Sequence, residues 1–403
     1  MSSETGAARA LLTPAAVRAR AAEMLEHGLA GRLTAFLVDL DRLPAAAECV
    51  VATIRKNYPS LDIPFHARWR HFCVGGQDLW RPLAAGIADA AERARAAFDL
   101  AIISVLLDAG AGMGWRYRDP GLGVETARSE GLALASLRMF EAGAFSARAG
   151  QPLRADSARL VLLRPEDIAA GFQVSGRNPL VGVEGRAALL NALGRAVATL
   201  PGARPGGLFD RLAAAADGAI LPAPAILAAV LESLGPIWPS RIVLDGIPLG
   251  DTWRHPLIAG DDPATAGLVP FHKLSQWLSY SLIEPLEAAG ITVTEIDGLT
   301  GLPEYRNGGL FIDCGVLALK DPAAGERSHT VDSPLVVEWR ALTVALLDAI
   351  APLVRDRLGL TAAEFPLARV LEGGTWAAGR AIAASLRADG GPPVRVVSDG
   401  TVF

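Results

Sequence analysis

Residues 291–315, ITVTEIDGLTGLPEYRNGGLFIDCG, place charged side chains between two apolar runs. Glu304 and Arg306 are two residues apart, and Asp297 and Asp313 flank them. Carboxylates in such a setting can transfer protons as general acids or bases. The glycines let the backbone approach a ligand closely. The alternative is a turn held by an ion pair between Glu304 and a nearby arginine, with no chemistry.

A second candidate lies in residues 270–290, PFHKLSQWLSYSLIEPLEAAG, a predicted helix with Pro270 at its start. Lys273 falls in the first turn and shares a helix face with Trp277. A lysine there opposes the helix dipole, but it suits an anion that binds the free N–H groups of the helix end. An ordinary surface lysine is the alternative.

Residues 61–72, LDIPFHARWRHF, predict an amphipathic helix that begins at Pro64. His66 and Arg70 lie one turn apart beside an aromatic face, so they can form an anion-binding corner or a solvated basic face. In residues 242–256, IVLDGIPLGDTWRHP, Asp245 and Asp251 can complete a pocket wall. They can equally cap a helix and close a turn.

Other chemistry lacks its sequence signature. Gly110, Gly112 and Gly114 stand before Trp115, where a dinucleotide loop needs glycine. The chain has no GxxxxGK[ST] or GxSxG motif, and its six histidines form no zinc pattern. We therefore expect no metal and no organic cofactor.

Composition limits the classes of protein and of binding partner that remain. The chain has 403 residues, of which 51% are hydrophobic and 20% charged, and a net charge of -5. This argues against a nucleic-acid surface, and no apolar run approaches the roughly 20 residues that span a bilayer. The N-terminus lacks a secretory signal, and three scattered cysteines suit a reducing cytoplasm. We therefore expect a cytoplasmic protein without a nucleic-acid or membrane partner.

Periodicity predicts a mainly α fold with at most a small β element. Helices are predicted over 13–26, 82–108, 184–198, 222–234, 271–287, 335–357 and 375–388, and strands over 240–249, 290–296 and 310–319. Strands and helices do not alternate, which disfavours a doubly wound sheet. We expect residues 1–12 to be a flexible N-terminus and residues 13–403 to form a single domain.

Four phrases together carry a family resemblance: IPFHARWRHF, FHKLSQWLSYSLIEPLEAAG, IDGLTGLPEYRNGGLFIDCG and VEWRALTVALLD. They resemble a bacterial and fungal family of formerly unknown function that is tied to uracil catabolism. The resemblance runs over nearly the whole chain. In fungi, the family is associated with a pathway that opens the uracil ring on its ribose and ends in urea.

FHKLSQ at 271–276 and LTGLPEYR at 299–306 are similar to two motifs of the queuosine-salvage family. Those proteins cleave an N-glycosidic bond on a ribose 5′-phosphate, and their helical fold is similar to that of DNA glycosylases. The resemblance places a phosphate-contacting lysine at Lys273, a catalytic carboxylate at Glu304 and an arginine at Arg306. Glu304 replaces an aspartate, so the carboxylate reaches one methylene further.

These resemblances imply a hydrolase that cleaves an N-ribosidic bond in ribosylurea or its 5′-phosphate and releases urea. The carboxylates would stabilise the sugar cation, activate water and protonate the leaving nitrogen, while bound phosphate holds the substrate. The rivals are a non-enzymatic ligand-binding or scaffold protein of the same pathway and an amide hydrolase on the opened pyrimidine. The catalytic candidates are Glu304 and Asp297, and the substrate-binding candidates are Lys273, Arg306, His272, Trp277, His66, Arg70, Asp245 and Asp251.

Overall fold

The computed structural model describes residues 3–108, 110–112, 114–238, 242–260 and 262–397. Packing contacts divide the chain into two compact units. The first comprises Met1–His66, Ser240–Gln276 and Glu295–Phe403, and the second comprises Ala67–Pro239 and Trp277–Thr294. The single domain expected over 13–403 stays a prediction, and the two units are built from alternating segments of the chain. Sequence composition gives no sign of this, because the boundary after Gln276 falls inside a helix.

Helices predominate among the described residues, as the sequence predicted. In chain order the α-helices are α1 (Ser3–Ala10), α2 (Pro14–Leu29), α3 (Leu43–Asn57), α4 (Trp80–Ala85), α5 (Ala90–Leu106), α6 (Arg128–Glu141), α7 (Ser157–Leu160), α8 (Pro165–Gly171), α9 (Val183–Ala196), α10 (Gly207–Ala215), α11 (Ala223–Leu234), α12 (Lys273–Ala288), α13 (Tyr305–Asp313), α14 (Pro334–Leu358), α15 (Leu367–Val370) and α16 (Trp376–Leu386). A π-helix, Leu371–Thr375, joins α15 to α16. The 3₁₀ helices are Leu40–Arg42, Arg68–Phe72, Val197–Thr199, Pro201–Ala203, Gly235–Ile237, Pro263–Thr265, Ile296–Gly298 and Pro322–Glu326.

The strands are short and form two-stranded sheets. They are β1 (Phe36–Val38), β2 (Cys73–Val74), β3 (Gln77–Asp78), β4 (Tyr117–Arg118), β5 (Glu125–Thr126), β6 (Ile220–Pro222), β7 (Val243–Leu244), β8 (Ile247–Pro248), β9 (Thr252–Arg254), β10 (Leu268–Pro270), β11 (Thr292–Thr294), β12 (Leu317–Leu319), β13 (Ser328–Thr330) and β14 (Arg395–Val397). β11 pairs with β6, and β13 with β14, in parallel; β1–β12, β2–β3, β4–β5, β7–β8 and β9–β10 are antiparallel. The fold is therefore mainly α with small β elements.

Each unit is built around one deeply buried helix. In the first unit, residues 336–344 of α14 are buried without interruption, and α2, α3 and α13 pack against this helix. In the second unit, residues 96–107, in and just after α5, are buried, and α6 and α10 pack on that helix. A helix that is apolar on nearly all sides belongs in the centre of a core. Among the described residues, no helix combines the length and apolar character needed to cross a bilayer.

The secondary structure of several segments differs from that predicted. Residues 3–10 form a helix where a flexible N-terminus was expected, and Leu11 after it is buried. No helix begins at Pro64; a 3₁₀ helix starts at Arg68. Of the strand predicted over 310–319, only β12 is extended, because α13 runs through Asp313. The strand predicted over 240–249 is the β7–β8 hairpin, and residues 240 and 241 lie outside the described residues.

Candidate active site in the first unit

Glu304 caps a helix, and it does not stand in an open loop as the sequence predicted. Its Oε2 accepts the N–H of Arg306 at 2.7 Å, and its Oε1 accepts the N–H of Asn307 at 2.6 Å. These N–H groups belong to the first turn of α13, where the backbone has no partner within the helix. The half-buried carboxylate is thus held at the positive end of a helix dipole.

The glycines after Glu304 serve helix packing and not a flexible loop. A Cβ added at Gly308 would lie 2.7 Å from both Oγ1 of Thr343 and Nε1 of Trp339 on α14. A Cβ at Gly379 on α16 would meet the carbonyl oxygen of Arg306 at 2.2 Å. Both distances are far below a normal van der Waals contact. Glycine at these positions lets α13 lie directly against its two neighbours, which fixes the position of the Glu304 cap.

Lys273 and His66 lie close enough to act electrostatically on Glu304. Burial raises the pKa of Glu304 above its ordinary value, and the two capping N–H groups, Lys273 and His66 oppose that rise. Desolvation and charge thus work against each other on one carboxyl group. Three predicted site residues, Glu304, Lys273 and His66, thus lie within electrostatic range in the first unit. A carboxyl group with a raised pKa beside basic groups is a frequent feature of catalytic sites.

At the start of α12, where the sequence predicted an anion site, Asp251 accepts one of the backbone N–H groups. The predicted start at Pro270 is wrong, because Pro270 ends β10 and the helix begins at Lys273. Oδ2 of Asp251 accepts the backbone N–H of Lys273 at 3.0 Å. This N–H is therefore not available to a ligand, and the half-buried Lys273 contributes its ammonium group.

Arg340, to which the sequence analysis gave no role, holds Asp251 in place. Its two terminal nitrogens donate to the two carboxylate oxygens at 2.8 Å each, and its Nε lies 3.4 Å from the carbonyl oxygen of Pro303. Burial tends to raise the pKa of Asp251, but the guanidinium outweighs it and holds that pKa far below its ordinary value. Arg340 thereby ties the start of α12 to the residue before Glu304. A signal was present, since a buried arginine on an apolar helix needs a partner.

The guanidinium of Arg306, predicted as a substrate-binding group, has partners within the first unit. Its guanidinium donates to the carbonyl oxygen of Gly390 at 2.9 Å and lies 4.7 Å from the ring centre of Tyr305. The side chain is buried, and among the ion pairs of the described residues none joins it to Glu304. The salt-bridged turn considered from the sequence is therefore replaced by a helix cap.

Asp297 has partners that give it a structural role in the first unit. Its Oδ2 accepts a hydrogen bond from Arg355 at 2.6 Å, and its Oδ1 accepts the N–H of Leu367 at 2.5 Å. Both carboxylate oxygens are thus used in holding α14 and the start of α15. The catalytic role predicted for Asp297 gains no support from this geometry.

His66 and Arg70 do not form the predicted corner on one helix. His66 belongs to the first unit, where its Nδ1 lies 2.7 Å from Oε2 of Glu372. Arg70 belongs to the second unit and pairs with Glu284 at 2.5 Å. The prediction failed because residues 62–65 have no regular secondary structure and the 3₁₀ helix begins only at Arg68.

His272 and Asp245, both predicted to bind substrate, have a positive φ in the structure. His272 has a φ of 49°, and its buried ring lies with Nε2 2.9 Å from the carbonyl oxygen of Leu11. Burial lowers the pKa of His272, so the ring is neutral at physiological pH. Asp245 and Gly246 both have positive φ between β7 and β8, as a two-residue hairpin turn requires. Asp245 is exposed at that turn.

Trp277 lies in the second unit, where the Arg68 guanidinium is 5.6 Å from its ring centre. The ring of His71 lies edge-on to the Trp277 ring, with ring centroids 6.1 Å apart.

The parts of the chain that the structure describes contain no group of three His, Cys, Asp or Glu side chains that would hold a metal ion.

Sequence comparison adds a family and two relatives. The pattern of the family described as "Protein of unknown function (DUF1688)" matches residues 10–403. Protein urg3 of Schizosaccharomyces pombe is 40% identical over 415 residues, which cover 100% of both chains. Uracil catabolism protein 4 of Lachancea kluyveri is 38% identical over 406 residues, covering 91% of this chain and 92% of that protein.

Proposed function

The chain belongs to the family described as protein of unknown function (DUF1688), and we propose that it hydrolyses an N-ribosidic bond in a ring-opened uracil nucleotide. The substrate would be ribosylurea or its 5′-phosphate, and the reaction releases urea. The name of the relative from Lachancea kluyveri, uracil catabolism protein 4, supports a role in uracil catabolism. The three cysteines are free thiols, in keeping with a reaction in the reducing cytoplasm.

One observation carries the proposal: Glu304 is fixed at the start of α13 with Lys273 and His66 acting on its carboxylate. Breaking the bond between C1′ and nitrogen passes through a sugar with oxocarbenium character. The Glu304 carboxylate would stabilise that charge and take a proton from the attacking water. The route uses protein groups and water alone.

Lys273 supplies the positive charge for a phosphorylated substrate. Its backbone is fixed by Asp251, so the ammonium group extends from a defined point. Binding of a 5′-phosphate at a distance from the reacting bond would hold the sugar in place and lower the entropic part of the barrier. The proposed ligand is thus a small ribosyl compound and not a nucleic acid.

The test is release of urea by the purified protein from ribosylurea, with and without a 5′-phosphate. We expect urea from the parent protein and at least about 100-fold less from Glu304→Gln, which is the contribution of one general acid–base group. Asp89→Asn is the matched control, because Asp89 also caps a helix, α5, by accepting the N–H of Glu92. Absence of urea from both substrates would overturn the proposal.

A ligand-binding protein of the same pathway is the second candidate. The observation that favours it is that both oxygens of Glu304 accept N–H groups of its own helix, as they would in a purely structural cap. Such a protein would bind the phosphorylated ligand through Lys273 and release no urea. Calorimetry beside the urea assay separates the two, since tight binding without turnover identifies the binding protein.

A further inference from the structure

His66 and Glu372 form a second acid–base pair in the first unit. Nδ1 of His66 and Oε2 of Glu372 are 2.7 Å apart, and only 11% and 17% of the two side chains are exposed. The backbone N–H of His66 donates to the carbonyl oxygen of Ala368, and the ring lies 6.2 Å from that of Trp376. In the tautomer in which Nδ1–H of His66 donates to Oε2 of Glu372, Nε2 is the ring nitrogen at which a second proton is gained or lost.

Glu372 lies in the π-helix Leu371–Thr375. Such turns are rare and occur frequently at functional sites. The two residues after Glu372 have no side chain, and a Cβ at Gly373 would come within 2.6 Å of Cδ1 of Ile63. At Gly374, it would come equally close to Cγ1 of Val50. The π-helix is therefore packed tightly against Ile63, three residues before His66, and against Val50 on α3.

The π-helix is also hydrogen-bonded to the cap that contains Glu304. Oγ1 of Thr375 donates to Oδ1 of Asn307 at 2.8 Å, and the backbone N–H of Asn307 donates to Glu304. The amide nitrogen of the Asn307 side chain donates to the carbonyl oxygen of Leu302. One asparagine thus connects the helix that carries Glu372 to the turn that carries Glu304. The His66 pair and the Glu304 carboxylate belong to one fixed framework.

We propose that His66 is the general acid that protonates the departing nitrogen and that Glu372 is its positioning residue, an inference that rests on the proposed function. The oxygen of water bonds to C1′ while the bond from C1′ to nitrogen breaks. The electron pair of that bond stays on nitrogen, which takes the proton from Nε2 of His66. The proton lost by water goes to Glu304, and solvent returns both groups to their starting states. Because urea is a poor leaving group, protonation of its nitrogen lowers the barrier to breaking the bond.

The experiment compares leaving groups that do and do not need a proton. Ribosylurea 5′-phosphate must be protonated at nitrogen, whereas nicotinamide ribose 5′-phosphate releases a neutral pyridine without protonation. His66→Gln should lower kcat on the urea substrate by at least about 100-fold. At a pH above the acid limb of the activity profile, where Glu304 is ionised in variant and parent alike, it should leave kcat on the pyridinium substrate nearly unchanged. Glu372→Gln should show the same split with a smaller loss.

The controls separate this inference from the proposed function. Glu304→Gln should slow both substrates, because both pass through a sugar cation. His329→Gln removes a half-buried histidine whose Nε2 is hydrogen-bonded to the carbonyl oxygen of Ala324. This variant should slow the reaction of neither substrate. If the parent releases urea but not nicotinamide, the same comparison is made between ribosylurea and its N′-formyl derivative, whose nitrogen leaves more easily.

An equal loss on both substrates, or no loss on ribosylurea, would overturn the role of His66 while leaving the N-ribosidase intact. Lowered melting temperature alone would identify a structural pair. A parent protein that releases no leaving group from any of these compounds would overturn the proposed function and this inference together.

Discussion

The two terminal nitrogens of Arg340 donate to the two carboxylate oxygens of Asp251 at 2.8 Å each. Asp251 also accepts the backbone N–H of Lys273. The same guanidinium lies 4.1 Å from the ring centre of Phe271 and reaches toward the carbonyl oxygen of Pro303. The two motifs that suggested a phosphate site and a catalytic carboxylate are therefore joined by a side chain that belongs to neither. Breaking this contact should disturb both.

Arg340→Ala should lower the free energy of unfolding by about 3–5 kcal/mol, because it leaves the carboxylate of Asp251 buried without its cation. The side chains of Arg340 and Asp251 are only 1% and 10% exposed. Arg327→Ala is the matched control, since Arg327 pairs with Asp321 with more than half of each side chain exposed. That variant should unfold at nearly the same urea concentration as the parent, because solvent screens an exposed ion pair. An equal loss of stability in the two variants would show that the buried Arg340–Asp251 pair contributes no more to folding than an exposed ion pair.

The Asp251–Arg340 pair should also make the fold sensitive to acid. The pKa of Asp251 is far lower in the folded protein than the ordinary value of about 3.9 in an unfolded chain. As pH falls, the unfolded state takes up the proton first, so the stabilisation is complete above about pH 5 and is lost progressively below about pH 4. Urea unfolding between pH 7 and pH 3 should show this loss in the parent. Asp251→Asn should flatten the acid slope, and an unchanged slope would contradict the assignment.

Lys273→Met should weaken binding of a ribosyl 5′-phosphate and leave binding of the unphosphorylated compound nearly unchanged. It should also raise the pKa of Glu304 further, because the lysine is one of the groups that oppose the effect of burial. The acid limb of the activity profile should then move to higher pH. Lys56→Met on α3, at an exposed position, is the control. Calorimetry with both ligands checks the first effect, and equal phosphate affinity in variant and parent would remove Lys273 from the site.

The helices that the sequence predicted well are those with local signals. Thr13 accepts the N–H of Ala16 and Pro14 opens α2, as the Thr-Pro pair indicated. By contrast, α13 contains Gly308 and Gly309, which favour a loop when read locally. Gly308 packs closely against α14 and Gly309 lies against Pro393, and a single sequence does not reveal such tertiary contacts.

The site residues stay predictions. Motif spacing selected Glu304 and Lys273, and in the structure Lys273 and His66 act electrostatically on Glu304. Arg340 and Glu372 were missed because each is defined by a partner far along the chain, at Asp251 and His66. Asp245 was over-interpreted, since an Asp-Gly pair between two strands is first of all a turn signal.

Gly308→Ala should destabilise the protein although alanine favours helices. The added Cβ would lie 2.7 Å from atoms of Thr343 and Trp339, so α13 must move away from α14. Gly185→Ala on α9 is the matched control, because no atom lies within 4 Å of its added Cβ. That variant should gain about 0.5–1 kcal/mol from helix propensity. Thermal unfolding of the two variants should shift in opposite directions, and a stabilised Gly308→Ala would refute the close packing.

Glu304→Gln tests the catalytic and capping roles of the same side chain. If the carboxylate acts in the transition state, kcat should fall by at least about 100-fold with substrate affinity nearly unchanged. Glu304→Asp should retain more activity than Glu304→Gln, because it keeps the charge and shortens the reach.

Stability should change in a way that an ion pair with Arg306 would not produce. Since burial raises the pKa of Glu304, the folded state holds its proton at a pH where the unfolded chain has lost it. The parent should therefore gain stability relative to Glu304→Gln as pH falls from neutral toward about 4.3. Arg306 donates to the Gly390 carbonyl, so the effects of Arg306→Ala and Glu304→Gln on unfolding should add to within about 0.5 kcal/mol. Strong coupling in that double-mutant cycle, with full activity in Glu304→Gln, would restore the salt-bridged turn and remove Glu304 from the chemistry.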